Sequence, residues 1–178
     1  FLIISCQSSK TIEEVIFDNN KMAKVSFRAE NLKINNTYEM ILEDPYIDYA
    51  IEKPPLFYLN EWIKNNITNF GSENFVEIDI IQASLSKIER KIENKKKYVN
   101  QNEFYYELNY KIELKILNDN SQTLSKVKSE VKLTTTSGNF ISLNEEELII
   151  NNLILNSLTD LSFRTEELVK KHMDQHIF

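Results

Sequence analysis

The sequence predicts an α+β fold: an antiparallel four-stranded sheet with two helices packed on one face, in the order β-α-β-β-β-α. Three observations carry that reading. Tyr106, Leu108, Tyr110, Ile112, Leu114 and Ile116 alternate with Glu107, Asn109, Lys111, Glu113 and Lys115, the period-two pattern of a strand with one buried and one wet face. A second run sets Val127, Val131 and Leu133 against Lys126, Lys128, Glu130 and Lys132, after the turn chemistry of Asn118-Asp119-Asn120-Ser121. Together the two runs read as a hairpin. Ile150, Ile154, Leu158, Leu161 and Leu168 then recur at helical spacing, a stripe that needs a sheet face to cover it.

The remaining elements fill in around this unit. From Lys24 to Tyr38, Val25, Phe27 and Ala29 alternate with polar residues and the parity shifts before Leu32 and Ile34, so one strand with a bulge is expected. Met40 to Lys53, with Pro45 and the acidic pair Glu43-Asp44, reads as an irregular crossing loop. Pro54-Pro55 opens a helix, because proline suits a first turn. Leu56, Leu59, Ile63 and Phe70 share one face of it, Trp62 and Ile67 lie beside them, and Gly71 is expected to end it as a left-handed cap. Phe75 to Leu85 is strand-like, with Val76, Ile78 and Ile80 on one parity and Ile81, Ala83 and Leu85 on the other. It runs into the charged stretch Lys87 to Lys97. The final helix is expected to take Asn144 as its cap, with Glu145-Glu146-Glu147 at the positive end of its dipole and Lys170, Lys171 and His172 at the other.

Composition narrows the function. A chain of 178 residues suits one domain, and 42% hydrophobic with 27% charged residues is an ordinary globular balance. A net charge of −6, spread along the chain, argues against a broad nucleic-acid-binding face. The two glycines, Gly71 and Gly138, cannot build a phosphate-cradling loop, which needs several close together.

With one cysteine, Cys6, no intramolecular disulfide can form. Cys6 ends the run Phe1-Leu2-Ile3-Ile4-Ser5 and precedes the polar Gln7-Ser8-Ser9-Lys10-Thr11. This resembles the lipobox of bacterial lipoproteins, in which the thiol receives a diacylglyceryl group and the cysteine becomes the new amino terminus. The resemblance implies that residues 1–5 are the remnant of a signal peptide, 6–23 the lipidated cysteine and its tether, and 24–178 a single α+β domain. Each buried methylene contributes about 0.8 kcal/mol, so two or three acyl chains, palmitate among them, hold where one does not. The alternative is a core strand followed by a buried free cysteine. No other segment approaches the roughly 20 apolar residues of a spanning helix.

Enzyme chemistry lacks its parts, and neither activity nor cofactor is expected. His172 and His176 are spaced for one helix face, but no glutamate follows His172 as in a zinc-protease motif, and a solvated helix end is the reading preferred to a metal site. Cys6 as a nucleophile needs a positioned histidine, and anchoring would consume its thiol. Glu43, Asp44 and Asp48 read as a solvated loop rather than a cation site. Lys95-Lys96-Lys97, with Lys87, Arg90 and Lys91, form a basic patch that is either a wet hairpin tip or a contact for acidic head groups or an acidic partner. Tyr105, facing outward in Phe104-Tyr105-Tyr106, joins those lysines as a candidate partner contact. Trp62 is read as core.

Three stretches resemble an alphaproteobacterial family of envelope lipoproteins of unassigned function. Tyr46-Ile47-Asp48-Tyr49-Ala50-Ile51-Glu52-Lys53-Pro54-Pro55 leads into a tryptophan-bearing helix, Ile80-Ile81-Gln82-Ala83-Ser84-Leu85 matches the second strand, and Ser142-Leu143-Asn144-Glu145 opens the last helix. The chain departs from the family where Lys91 to Asn100 replaces a glycine-rich, apolar segment. The element order is also similar to the lipopolysaccharide-assembly lipoprotein that plugs an outer-membrane barrel, and to the auxiliary lipoproteins of ABC-type lipid transport, at fold level only. These resemblances imply a membrane-anchored envelope lipoprotein that binds or assembles with an envelope protein partner, in lipid or lipopolysaccharide transport. Gln7, in place of aspartate, matches sorting to the outer membrane, facing the periplasm. A structural or surface-exposed lipoprotein without a transport role, and a small-ligand-binding domain, are the alternatives.

Overall fold

A computed structural model of the chain describes residues 15–92 and 102–178. Its elements are β1 (Val25–Phe27), β2 (Asn31–Asn36), α1 (Pro55–Asn66), β3 (Ile67–Asn69), β4 (Phe75–Lys91), β5 (Asn102–Leu117), β6 (Thr123–Gly138) and α2 (Leu143–His172). The fold is α+β, with a four-stranded sheet in the order β2-β4-β5-β6. The pairs β4–β5 and β5–β6 are antiparallel, whereas β2 joins β4 in parallel. The sheet is therefore mixed at one edge. Between β2 and β4 the chain crosses over through α1, and a long crossover of this kind returns a strand in the same direction.

The strand alternation is realised as packing. Tyr106, Leu108, Tyr110, Ile112 and Leu114 of β5 are completely buried beneath the helices, as are Val76, Ile78, Ile80, Ala83 and Leu85 of β4. The register shifts between Ile80 and Gln82. One extra residue there turns both parities of β4 toward the same core, which explains the double pattern in its sequence. On α2, Leu158 and Leu161 face the sheet together with the buried Ser157, Ser162 and Thr165, whose small side chains let the helix lie close.

The single bulged strand expected from Lys24 to Tyr38 is two strands in two sheets. β1 pairs in parallel with β3, Val25 opposite Ile67 and Phe27 opposite Asn69, while β2 enters the main sheet. The parity shift marks a corner at the fully buried Ala29. Helix α1 ends at Asn66, and Ile67 is already extended (φ −107°, ψ 118°), as the β-branched pair Ile67-Thr68 favours. Gly71 is therefore no helix cap, and Phe70 lies off the helix face, 62% exposed. Gly71 serves close approach instead: a Cβ there would lie 2.8 Å from the Ala29 nitrogen. The far end of the chain also joins β1, with Arg28 N donating to His176 O at 2.7 Å and Phe178 N to Ser26 O at 3.1 Å.

Packing extends upstream of Lys24 as well. The Phe17 ring stacks on Tyr58 with centroids 3.7 Å apart. Trp62 Nε1 donates to Ala23 O at 3.2 Å, and Asn66 Nδ2 donates to Asn19 O at 2.8 Å. Trp62 is thus core, and Phe17, Asn19 and Ala23 pack against α1. At the other helix, Ser142 caps α2 in place of Asn144, in a reciprocal capping box with Glu145.

Gly71→Ala is expected to destabilise the fold by about 1–3 kcal/mol, because backbone must shift to admit the methyl group. Gly138→Ala, with nothing within 4 Å of the new carbon, is expected to change stability by only a few tenths of a kcal/mol. Urea unfolding midpoints of the two variants decide the matter; equal midpoints would refute the close-packing role.

Candidate functional site

The acidic loop divides its residues between solvent and core. Glu43 and Asp44 are exposed, whereas Asp48 is only 1% exposed. The Asp48 carboxylate accepts a hydrogen bond from the Tyr38 hydroxyl at 2.7 Å and lies 3.5 Å from the Leu85 amide. Burial, reinforced by the bond to Asp48, pushes the Tyr38 hydroxyl well above its ordinary pKa. So tethered, the chain pairs with β4: Ile47 N donates to Leu85 O at 2.9 Å and Lys87 N to Pro45 O at 2.8 Å. β2 covers the edge of β4 as far as Ile80, and residues 45–47 cover it further on.

That loop, the start of α1 and the start of α2 enclose an open groove of about 760 Å³, walled by Val15, Ile47, Ile51, Tyr58, Leu143 and Ile150. Its polar lining includes Lys87 of β4 and Glu146 and Glu147 of α2, and residues of β5 and β6 back the Lys87–Glu146 pair. Lys87 Nζ lies 2.5 Å from Glu146 Oε1 and 4.1 Å from the centre of the Phe104 ring. The Tyr106 hydroxyl donates to the same carboxylate at 3.0 Å and lies 3.3 Å from Ser137 Oγ. Burial, countered by Ser137 and reinforced by Glu146, leaves Tyr106 pushed up to about 12. It is a neutral donor at ordinary pH. These groups satisfy one another, so the cluster latches α2 to the sheet.

The outer face carries a ladder of charges. Lys115 on β5 bridges Asp79 at 2.5 Å, Glu113 at 3.4 Å and Glu77 at 3.7 Å. Glu113 also holds Lys126 at 3.2 Å and Lys128 at 3.1 Å. Further along, Lys132 meets Glu107 at 2.7 Å and Lys111 meets Glu130 at 2.8 Å. Burial alone would raise the Glu113 carboxyl, but hydrogen bonds from Lys128 and Lys126 and their charges outweigh it and hold it below the usual range. Asp79 is lowered in the same way: its burial is outweighed by hydrogen bonds from Lys115 and Asn35 and by the charges of Lys115 and Lys33.

Among the residues singled out from sequence, Cys6, Lys95, Lys96 and Lys97 lie outside the described residues. Tyr105 stands on the outer face, half-buried, with the Arg90 guanidinium 3.4 Å from its ring centre. The basic patch is divided by the pleat. Lys87 pairs in register with the buried Tyr106 and turns toward Glu146, while Arg90 faces the other side. His172 ends α2 and His176 lies in a separate 3₁₀ turn, Asp174–His176, so the two do not share a helix face. Among the described residues no group of three or more His, Cys, Asp or Glu side chains is placed to hold a metal. The Lys87–Glu146–Tyr106 cluster escaped sequence reading because it joins residues far apart in the chain, and the Asp48–Tyr38 pair because no periodicity links positions ten residues apart.

No family model and no curated protein matches the chain, and the likeness to the alphaproteobacterial family stands on the three sequence stretches alone. Among solved structures, a minor lipoprotein from Acinetobacter baumannii is similar at 9% identity, covering 83% of this chain and 93% of that one, with a TM-score of 0.40. A protein described as a neuraminyllactose-binding hemagglutinin homolog from Helicobacter pylori is similar at 12% identity, covering 86% and 93%, also with a TM-score of 0.40. Likeness at this level carries no function across.

The ladder makes stability depend on pH. Asp79 and Glu113 have folded pKa values below their ordinary 3.8 and 4.5, so their contribution is complete above those values and is lost as pH falls through the folded ones. Lys115 is raised above 10.5, chiefly by its hydrogen bond to Asp79, so its contribution is complete below that value and fades as pH rises past it. The urea midpoint of the native chain is expected to fall between about pH 5 and about pH 3, and Glu113→Gln to flatten that acid limb. An unchanged acid limb in the variant would remove the ladder as its cause.

Proposed function

We propose that the chain is a membrane-anchored bacterial envelope lipoprotein, lipidated at Cys6, whose domain acts as a binding or assembly partner in lipid or lipopolysaccharide transport. The observation that carries the reading is the apolar run Phe1-Leu2-Ile3-Ile4-Ser5 ending at Cys6 and followed by the polar Gln7-Ser8-Ser9. Acyl chains on that thiol supply attachment through the hydrophobic effect. No helix among the described residues is long and apolar enough to cross a membrane. Val15, at the rim of the groove between α1 and α2, is the place from which the segment carrying Cys6 departs. Two charged groups of that groove, Lys87 and Glu146, are paired with each other, which suits a structural role better than reaction chemistry. The basic stretch Lys95-Lys96-Lys97 and the outward Tyr105 are the proposed partner contacts.

Metabolic labelling with palmitate, in cells making the precursor or its Cys6→Ser variant, tests the anchor. Label is expected on the native chain and none on the variant; equal labelling of both removes the proposal. Crosslinking in the same cells tests the role. Enrichment of a transporter or barrel component supports assembly, and its absence favours a surface lipoprotein without a transport role.

A further inference from the structure

β6 is the last strand of its sheet, and among the described residues no strand pairs with its outer side. It is 16 residues long. A bare edge of that length offers a row of backbone donors and acceptors to another chain. Beside it, two adjoining grooves run between β6 and α2 and share Leu133. One, of about 610 Å³, sets Leu133 and Phe163 among the charged side chains Asp160, Arg164, Glu167 and Lys171. The other, of about 330 Å³, continues along Ile149 and Leu153. Phe163 is 50% exposed in this groove. A strand edge alongside a helix-walled groove of mixed lining, with apolar positions at Leu133 and Phe163, suits strand addition: main-chain bonds form at the edge and alternate side chains enter the groove.

The charge pattern says which segment fits. Across the outer face, β4 presents Glu77 and Asp79, β5 presents Glu113 beside Lys115, and β6 presents Lys126, Lys128 and Lys132 with a single Glu130. Glu77 faces Lys115 and Glu113 faces Lys128 directly across. Where like charges face each other, Asp79 with Glu113 and Lys115 with Lys126, diagonal pairs offset them, as Lys115 with Asp79 at 2.5 Å and Lys126 with Glu113 at 3.2 Å. The β6 lysine side chains remain 48%, 55% and 54% exposed. Opposite charges directly across a strand pair are favourable and like charges are not. A second copy of this chain would set the same lysine-rich edge against itself. An acidic strand continues the ladder.

We propose that the β6 edge and the β6–α2 groove form a docking site for an extended acidic segment of a partner protein, which adds a further strand to the sheet. Its apolar side chains occupy the groove at Leu133 and Phe163, and its carboxylates lie opposite Lys126, Lys128 and Lys132. The site does not depend on Cys6, so failure of the anchor leaves it standing.

The probe is a fluorescent, end-blocked peptide of about eight residues with glutamate and valine alternating, titrated into the purified chain and read by anisotropy. Binding is expected, weakened about tenfold by the pair Lys128→Glu and Lys132→Glu through two reversed cross-strand pairs, and weakened several-fold by Phe163→Ala. On the native chain, methylating alternate backbone nitrogens of the peptide is expected to abolish binding, as is replacing its glutamates by lysines. Circular dichroism melts confirm that the variants are folded, and the two altered peptides need no variant at all. Absence of binding, or equal binding of the methylated or lysine peptide, overturns the proposal. So does a concentration-dependent dimer in sedimentation that the lysine variants abolish, which would assign the edge to a second copy.

Discussion

The structure depends on one asymmetry: a long-stranded sheet with a dry face and a wet face. Large side chains from β4 and β5 lie wholly buried under α1 and α2, and each contributes about 1.5–3 kcal/mol on leaving water. That side drives folding. The other side has no helix to cover it and is finished with the ladder from Glu77 and Asp79 to Lys132. The outermost pairs, through the half-exposed Lys126, Lys128 and Lys132, contribute about 0–1 kcal/mol each, while the less exposed centre at Glu113, Asp79 and Lys115 carries the pH dependence. The ladder also fixes register, because a slip of one residue would carry every lysine and glutamate to the dry side.

The elements legible in the sequence are those whose pattern is local. β5, β6 and the stripe of α2 follow from alternation and helical spacing alone, and they build most of the sheet. The parallel edge at β2 and the separate pair β1–β3 were hidden, because both unite segments on either side of α1. Gly71 shows how a residue type can be read correctly as special and assigned the wrong reason: its need is space beside Ala29, with no positive φ. The cap of α2 was legible and misplaced. Ser142 and Glu145 form the S-x-x-E pattern, which outweighs Asn144 two residues further on.

Asp48 bears most on the candidate site. Three acids in a loop read as solvated, and two of them are. The third accepts the hydroxyl of Tyr38, ten residues earlier, and no spacing rule announces such a partner. Holding Asp48 under the loop presses Tyr46 against Ser86, and the second half of β4 is thereby covered where β2 has turned away. One side of the sheet is in this way closed by two short segments, Asn31–Asn36 and the chain around Tyr46. Short edge strands are a common protection against unwanted pairing. The other side ends in the full length of β6.

The placement of α2 separates the two surfaces that matter. Its first turn faces Lys87 of β4 across the groove that Val15 borders, while further along it flanks β6 through Leu168 and Phe163. Val15 therefore lies on the β4 side of the helix and the bare edge on the β6 side. A strand added at β6 extends the sheet away from Val15. The proposed anchor and the proposed strand addition consequently call on different forces, acyl burial for the one and main-chain hydrogen bonds with lysine–carboxylate pairing for the other, and the two can be tested separately.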